Sequence, residues 1–421
     1  MKGALALLTC VPLLCQAAPV EVTVWRHDTG DAEMDAGRAA VARFNLAQSR
    51  WKVVVEAIPQ GSYNALITAA SLVGHLPCVI ALDQPAVANF AWAGHIQPLD
   101  GLLPPDSIKR LLVGGRGAAM GKTYSVGQFD VVLALFARRS ELAALGVRIA
   151  SIQHPYTAAE FRDILVKAKQ SGRYRFPLDL NGRTKGEWPS YAYGPWLQSG
   201  GADLVERANP NHVDGILNSK QAVAVGDYIG GLFRDKLAER NPADDQAFTQ
   251  GRALFHYTGS WSARAYLQRF GDDLLVLPPP DFGIGPKVGA GSWQWAITRS
   301  CPTPLGAAAF IAHLISTREM TTMVNATGYV PMSAQSAAAS DHYRTGGKWR
   351  IFYDFAERYA VPRPATPAYP IISTAFEKAI LDIRSGKDAE EALDEAVEAI
   401  DGNLRRNGGY ADSSSLKGKA K

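Results

Sequence analysis

Three strand-like runs, each followed by a helix-like run, occupy the first hundred residues and restrict the chain to an α/β architecture. Glu21 to His27 alternates apolar and polar side chains as a half-buried strand does, then breaks into the polar turn Asp28-Thr29-Gly30-Asp31. Ala32 to Gln48 carries Met34, Ala39, Val41, Phe44 and Leu46 with the spacing of an amphipathic helix. Trp51 to Ile58 is a valine-rich strand, and Ser62 to Val73 is a helix with Ser62 as its cap and Gly74 as its stop. Pro77 to Leu82 is a short apolar strand that delivers Asp83-Gln84, and Ala86 to Ala93 is helical. Such alternation predicts a largely parallel sheet. Ligands of these sheets sit outside the carboxyl ends of the strands, where His27, Asp28, Asp83 and Gln84 fall.

Later segments follow the same two periods. Val131 to Ala137 is an apolar strand, and Thr157 opens a helix in which Glu160 completes a capping box. Glu187 to Trp196 is crowded with aromatic residues, Asn218 to Arg234 and Asp245 to Gln250 are expected to be helical, and Ala253 to Tyr257 is a strand. In Gly289 to Thr298, Trp293, Trp295 and Ile297 alternate with Gln294 and Ala296, which places the tryptophans on one face of a strand entered through glycine. That pattern suits a hinge beside a cleft or an aromatic core strand. Gly114 to Thr123 ends like a phosphate-binding loop, but Arg116 stands where its first glycine should be and no long helix follows; it reads as a turn before a strand. The last stretch, 407–421, is a polar tail.

A chain of 421 residues suggests two or three structural units. With 44 basic and 40 acidic residues the charge is nearly balanced, so composition does not point to nucleic acid. Met1-Lys2, the apolar run Ala4 to Leu14 and the small residues Ala17-Ala18 form a secretory leader cleaved after Ala17 or Ala18. Lipidation of Cys15 or Cys10 is the rival reading, although Leu14 and Thr9 precede them where a small residue is preferred. No later run reaches the roughly 20 apolar residues of a membrane span. Cys78 and Cys301 remain after the leader; they read as two buried small hydrophobes, with their pairing left open.

Catalytic and metal motifs are not legible: there is no His-Glu-x-x-His, no Gly-x-Ser-x-Gly and no cysteine or histidine cluster, so no metal, cofactor or catalytic residue is assigned. His27 reads as a hydrogen-bonding residue. Tyr63, Trp188, Tyr191, Trp261, Trp293 and Tyr369 instead cluster near turns. Their flat faces suit the C–H face of a pyranose, while nearby Asp, Gln, His and Arg side chains suit its hydroxyls.

The residues resemble a known family over almost the whole chain after the leader. Val24-Trp25-Arg26-His27-Asp28-Thr29-Gly30, Phe44-Asn45, Gly74-His75-Leu76-Pro77-Cys78-Val79 and Pro98-Leu99-Asp100 stand in the order seen in extracellular solute-binding proteins of ABC importers, the carbohydrate-binding group that includes maltose-binding proteins. Pro155 to Phe161, Gln250-Gly251-Arg252-Ala253, Gly259-Ser260-Trp261, Gly289 to Ile297, Gly328-Tyr329-Val330-Pro331 and Gly386-Lys387 with Ala392-Leu393 continue it. Cys78 replaces the usual aspartate, Ala158 a common tryptophan, and Phe136-Ala137-Arg138 stands where Tyr-Asn is frequent.

The resemblance implies two α/β lobes crossed three times by the chain, near Gly127, Gly285 and Pro331, with a ligand cleft between them. Residues 18–126 plus 286–331 would form the N-terminal lobe, and 127–285 plus 332–406 the other. It implies a periplasmic, monomeric, non-enzymatic protein that binds a sugar and hands it to membrane permease subunits. The matched contacts are His27, Asp28, Tyr63, Asp83, Gln84 and Trp261, with Gln128, Trp188, Trp293 and Arg363 placed by neighbourhood. A glycerophosphodiester or polyol ligand, held if Arg26, Arg138 and Arg363 converge, is the alternative. A secreted carbohydrate-active enzyme using Asp28 and Asp83 is the remaining one.

Overall fold

The computed structural model describes residues 18–411; the leader Met1–Ala17 and the tail beyond Ala411 lie outside the described residues. The opening alternation becomes β1 (Val20–His27), α1 (Asp31–Ala47), β2 (Trp51–Ile58), α2 (Gln60–Leu72), β3 (Val79–Asp83) and α3 (Val87–Trp92). Ser62 lies inside α2 rather than capping it: Pro59 precedes the helix, and the Ser62 hydroxyl donates to the Pro59 carbonyl. A hairpin follows, β4 (Arg116–Ala119) and β5 (Lys122–Val126), closed by Met120 and Gly121 at positive φ. Two central residues in that region make a tight turn, which accounts for the glycine in the would-be phosphate loop.

The chain then passes through β6 (Phe129–Asp130) into β7 (Leu133–Arg138), β8 (Leu178–Asp179), β9 (Phe255–Gly259) and β10 (Leu274–Leu277). It returns through β11 (Val288–Ala290) to β12 (Trp293–Ile297), and leaves again by β13 (Val330–Pro331) and β14 (Ala360–Pro362). The first sheet has the order β2-β1-β3-β12-β5-β4 and the second β10-β7-β9-β8. In the first, β1 runs parallel to β2 and β3, while β12 enters antiparallel between β3 and β5. The parallel part is therefore the βα alternation, and the late strand is added to it from far along the chain.

Both faces of the first sheet are covered. Val22, Val24, Phe44, Phe310 and Ile311 pack on one side, and Tyr63, Ile67, Ile80, Leu82 and Ala88 on the other. Each of the valine, leucine, isoleucine and phenylalanine side chains contributes about 1.5–3 kcal/mol by leaving water. The covering explains why Gln294, on the face opposite the tryptophans, is fully buried: it donates to the Gly114 carbonyl and accepts from Ser125 Oγ. A second core gathers Leu135, Trp196, Phe255, Tyr257, Ile372 and Phe376 around the other sheet.

Four expectations need correction. Cys78 and Cys301 are buried but disulfide-bonded, because β3 and β12 are neighbours and bring the two cysteines together. Asp245–Gln250 is a turn, in which the Asp244 carboxylate takes up the Gln246 N–H and the Arg252 guanidinium instead of letting a helix grow. The tail begins later than Asn407, since Gly408–Tyr410 forms a short turn with Tyr410 packed edge-on against Trp92. At Thr157 the cap forms as expected, but Glu160 pairs with Arg148 rather than reaching back.

Candidate functional site

A cleft of about 420 Å³ opens at the carboxyl ends of the first sheet's parallel strands, with the second sheet's β9 turn on its far side. His27, the last residue of β1, and Trp293, the first of β12, stack directly on each other on one wall of it, with ring centroids 3.7 Å apart. Tyr63 stands edge-on behind both rings, and its hydroxyl donates to the carbonyls of Ala81 and Trp25. Tyr63 is thus a support for the platform, with its polar tip committed to the backbone.

His27 is buried, and burial together with the neighbouring Arg26 charge lowers its pKa to about 3. The ring is neutral at physiological pH. Its Nδ1 and the Thr29 hydroxyl are buried without a hydrogen-bond partner among the described residues. Two orphaned polar atoms at the edge of an aromatic cleft are groups a ligand hydroxyl can satisfy.

Trp261 faces this platform from the second lobe. β9 ends at Gly259, and the indole folds back over that glycine so closely that a Cβ there would fall 1.9 Å from the ring. That contact is the physical content of Gly-Ser-Trp. The ring is backed by Trp188 and Tyr191 at centroid distances of 6.4 Å, yet remains 41% exposed, unusual for so large an apolar side chain. Trp188 itself is buried, with its indole N–H donating to the Leu180 carbonyl. The floor is made where the chain crosses between lobes: β6 pairs with β13, and Phe129 packs on Tyr329 at 4.7 Å.

His27, Trp261 and Trp293 are therefore brought together, and Trp188 and Tyr63 lie directly behind them. The other sequence-based residues lie elsewhere. Asp28 is exposed and outside the cleft lining, with its N–H donating to Ile58. Gln128 donates to the Glu319 carbonyl and lines a separate cavity of about 210 Å³ with Arg26 and Trp295. Gln84 is buried against Gly291. Asp83 and Arg363 pair with each other beside the cleft, and Arg363 also reaches Glu187. Burial opposes the Arg363 charge, but Asp83, Tyr369 and Glu187 outweigh it and hold the guanidinium protonated.

Sequence reasoning missed Thr29, Gln60, Phe129, Ser292 and Tyr329 in the lining. Thr29 and Ser292 adjoin residues that were singled out. Phe129 and Tyr329 meet only through the pairing of two short strands 200 residues apart, and Gly-Tyr-Val-Pro was the one signal available. Among the described residues no group of three His, Cys, Asp or Glu side chains is placed to hold a metal ion.

The profile of the bacterial extracellular solute-binding proteins matches residues 39–348. An uncharacterized lipoprotein from the oleD 5′ region of Streptomyces antibioticus is 25% identical over 279 residues. That match takes in 62% of this chain and 59% of the relative, so the chain spans less than two thirds of the relative's length. The solved cyclic α-maltosyl-1,6-maltose binding protein of Arthrobacter globiformis has a TM-score of 0.79 at 22% identity, over 92% of this chain and 100% of that one. The GacH receptor of Streptomyces glaucescens, solved unliganded and with acarbose, gives 0.77 at 22% identity over 92% and 99%. The maltose/maltodextrin-binding domain MalE of Bdellovibrio bacteriovorus, bound to maltotriose, gives 0.73 at 18% identity over 92% and 100%. These likenesses establish the two-lobed periplasmic-binding-protein fold.

Proposed function

Because the chain belongs to the bacterial extracellular solute-binding protein family, a non-catalytic binding family of ABC transporters, we propose that it captures a neutral sugar between its lobes and delivers it to a membrane permease. The observation that carries this reading is the cleft itself: an exposed Trp261 on one lobe faces the His27–Trp293 stack on the other. Rings on both sides sandwich a pyranose, and Nδ1 of His27 and Oγ1 of Thr29 supply hydrogen-bonding groups at its edge. The Arthrobacter protein is named for a cyclic maltosyl-maltose and the Bdellovibrio domain carries maltotriose, which supports an oligosaccharide here.

Charge argues against the phosphate alternative. Arg26 pairs with Glu33, Arg138 with Glu141, and Arg363 with Asp83 and Glu187, so each cation has its own carboxylate and the three do not form one anion site. The enzyme alternative loses its pair too, since Asp83 is held by Arg363 while Asp28 lies outside the cleft.

The lobes in this reading divide as residues 18–126 plus 286–331 and 127–285 plus 332–406. Closure follows if the ligand touches both, because only a ligand with different affinity for open and closed states shifts their balance. Export by the Met1–Ala17 leader agrees with the extracellular character of the family. Release as a free periplasmic protein is our reading; the lipoprotein relative makes tethering through Cys15 the alternative, and an acylated mass for the exported chain would establish tethering.

Calorimetry with a panel of neutral mono- to oligosaccharides tests the ligand class. Trp261→Ala should weaken the best binder by about 1–3 kcal/mol, by analogy with stacking of a base on an aromatic ring. Its circular dichroism should stay unchanged. Full affinity in the folded variant removes Trp261 from the site, and no binding across the panel removes the sugar.

A further inference from the structure

The interlobe seam beside the cleft has an ionic centre. Arg363 lies just beyond β14, on the segment that feeds the second lobe's helix Tyr369–Ser385, and it is only 6% exposed. Its Nη1 and Nη2 donate to the two Asp83 oxygens at 3.0 and 2.7 Å, a bidentate pairing onto the end of β3 in the first lobe. Nη2 also donates to the Gly291 carbonyl at 2.7 Å, on the second crossing, and Nη1 to Glu187 at 3.0 Å. The guanidinium carbon stands 5.2 Å from the centre of the Tyr191 ring.

The partners are unequal in a way that matters. Glu187 accepts in turn from Tyr369 Oη and Ser373 Oγ, so Arg363 and Glu187 form one fixed unit of the second lobe. Asp83 is the carboxylate from the first lobe, and its side chain is 21% exposed. Separating the lobes leaves Arg363 with its Glu187 counter-charge, while Asp83 passes to water. A buried pair that loses one partner outright is strongly destabilised; here neither charge is stranded, so the contact can open and reclose.

Two further contacts lie along the same seam. Asn89 Nδ2 donates to the Pro367 carbonyl at 2.9 Å, and Trp92 packs edge-on against Tyr410 at 5.1 Å. Asp83, Asn89 and Trp92 all come from one short stretch of the first lobe. Neither Asp83 nor Arg363 lines the cleft, although Asp83 pairs in register with Trp293, which does.

We propose that Asp83 and Arg363 act as a releasable interlobe latch, positioning residues that hold the lobes together in the protein without ligand rather than contacts to the ligand itself. The inference rests on the lobe-closure part of the proposed function and not on the identity of the sugar. The pair is mostly buried, with side chains 6% and 21% exposed, so salt screens the made contact only weakly.

Small-angle scattering of the ligand-free mature protein tests the latch. Wild type should show a compact radius of gyration that changes little with salt, because a mostly buried pair is screened far less than an exposed one. Asp83→Asn and Arg363→Gln should both show a larger radius than wild type at the same salt concentration, with unchanged circular dichroism. Arg363→Lys, which keeps the charge and loses the fork, should fall between them and wild type. A folded Asp83→Asn or Arg363→Gln with the wild-type radius overturns the proposal. Should both variants fail to fold, a folded Arg363→Lys with the wild-type radius overturns it. No ligand enters the measurement, so a negative result leaves the sugar reading standing.

Discussion

Burial, more than residue type, gives His27 its role. A solvated histidine beside Trp293 would be partly charged at neutral pH, and stacking it at 3.7 Å would strip water from that charge. With its pKa lowered to about 3, the ring stays neutral and keeps a nitrogen able to accept or donate toward the cleft. A histidine whose folded pKa lies below its unfolded value of 6.5 binds fewer protons folded than unfolded in the window between them. Its contribution to stability is therefore fully present above pH 6.5 and declines as pH falls toward about 3. His27→Gln should remove that dependence: the urea midpoint of wild type should drop more steeply from pH 6.5 to pH 4 than that of the variant. Parallel curves would mean that His27 titrates as an ordinary surface histidine. The three cleft rings named from sequence were legible because each stands at a strand end or turn beside glycine or a polar run. Tyr63 and Trp188 carry the same chemistry on paper, but the backbone carbonyls that take their polar tips are set by packing that no local pattern records.

At the scale of elements, what could be read was what is local. The first three strands and helices announce themselves because one face of each is buried and the apolar spacing follows. The place of β12 does not, since a strand separated from β3 by two hundred residues shows its own period but not its neighbour. Only the register of Trp293 with Asp83 and Ile297 with Val79 reveals that it completes the first sheet. The crossings are held by equally non-local means. β6 pairs with β13 and β11 with β14, and the buried Asp130 carboxylate of β6 accepts from the Gly291 N–H of the second crossing. Burial pushes the Asp130 pKa up to about 7. Gly289 is required where β11 passes Tyr191, because a Cβ would lie 2.4 Å from that residue's carbonyl oxygen. Gly289 thus marks a close approach of backbone to backbone, whereas Gly285 has open space where a Cβ would stand and a positive φ that suits glycine, two different reasons that spacing alone leaves open.

The whole molecule is closed by a bond that the sequence conceals. Cys78 stands immediately before β3 and Cys301 follows β12, with 223 residues of separation that contain the entire excursion through the second sheet. Both sulfurs nevertheless belong to the first lobe, where β3 and β12 lie side by side. The bond therefore ties the outgoing chain to the returning chain without spanning the cleft. In the chain-entropy account, closing a loop of this length restricts the unfolded ensemble by about 5 kcal/mol at 25 °C, a figure that real disulfides commonly fall short of. An oxidising compartment outside the cytoplasm is where such a bond persists. Reduction, or the double substitution Cys78→Ser with Cys301→Ser, should lower the urea midpoint substantially. It should leave the ligand-free radius of gyration unchanged, because neither cysteine takes part in the seam around Arg363. Equilibrium denaturation with and without reductant, paired with scattering of the folded reduced protein, separates the two effects. An unchanged midpoint would mean that the unfolded chain is not constrained by the bond. A changed radius in the folded reduced protein would mean that the first lobe itself deforms, and that lobe separation is not the rigid-body motion on which closure around a ligand depends.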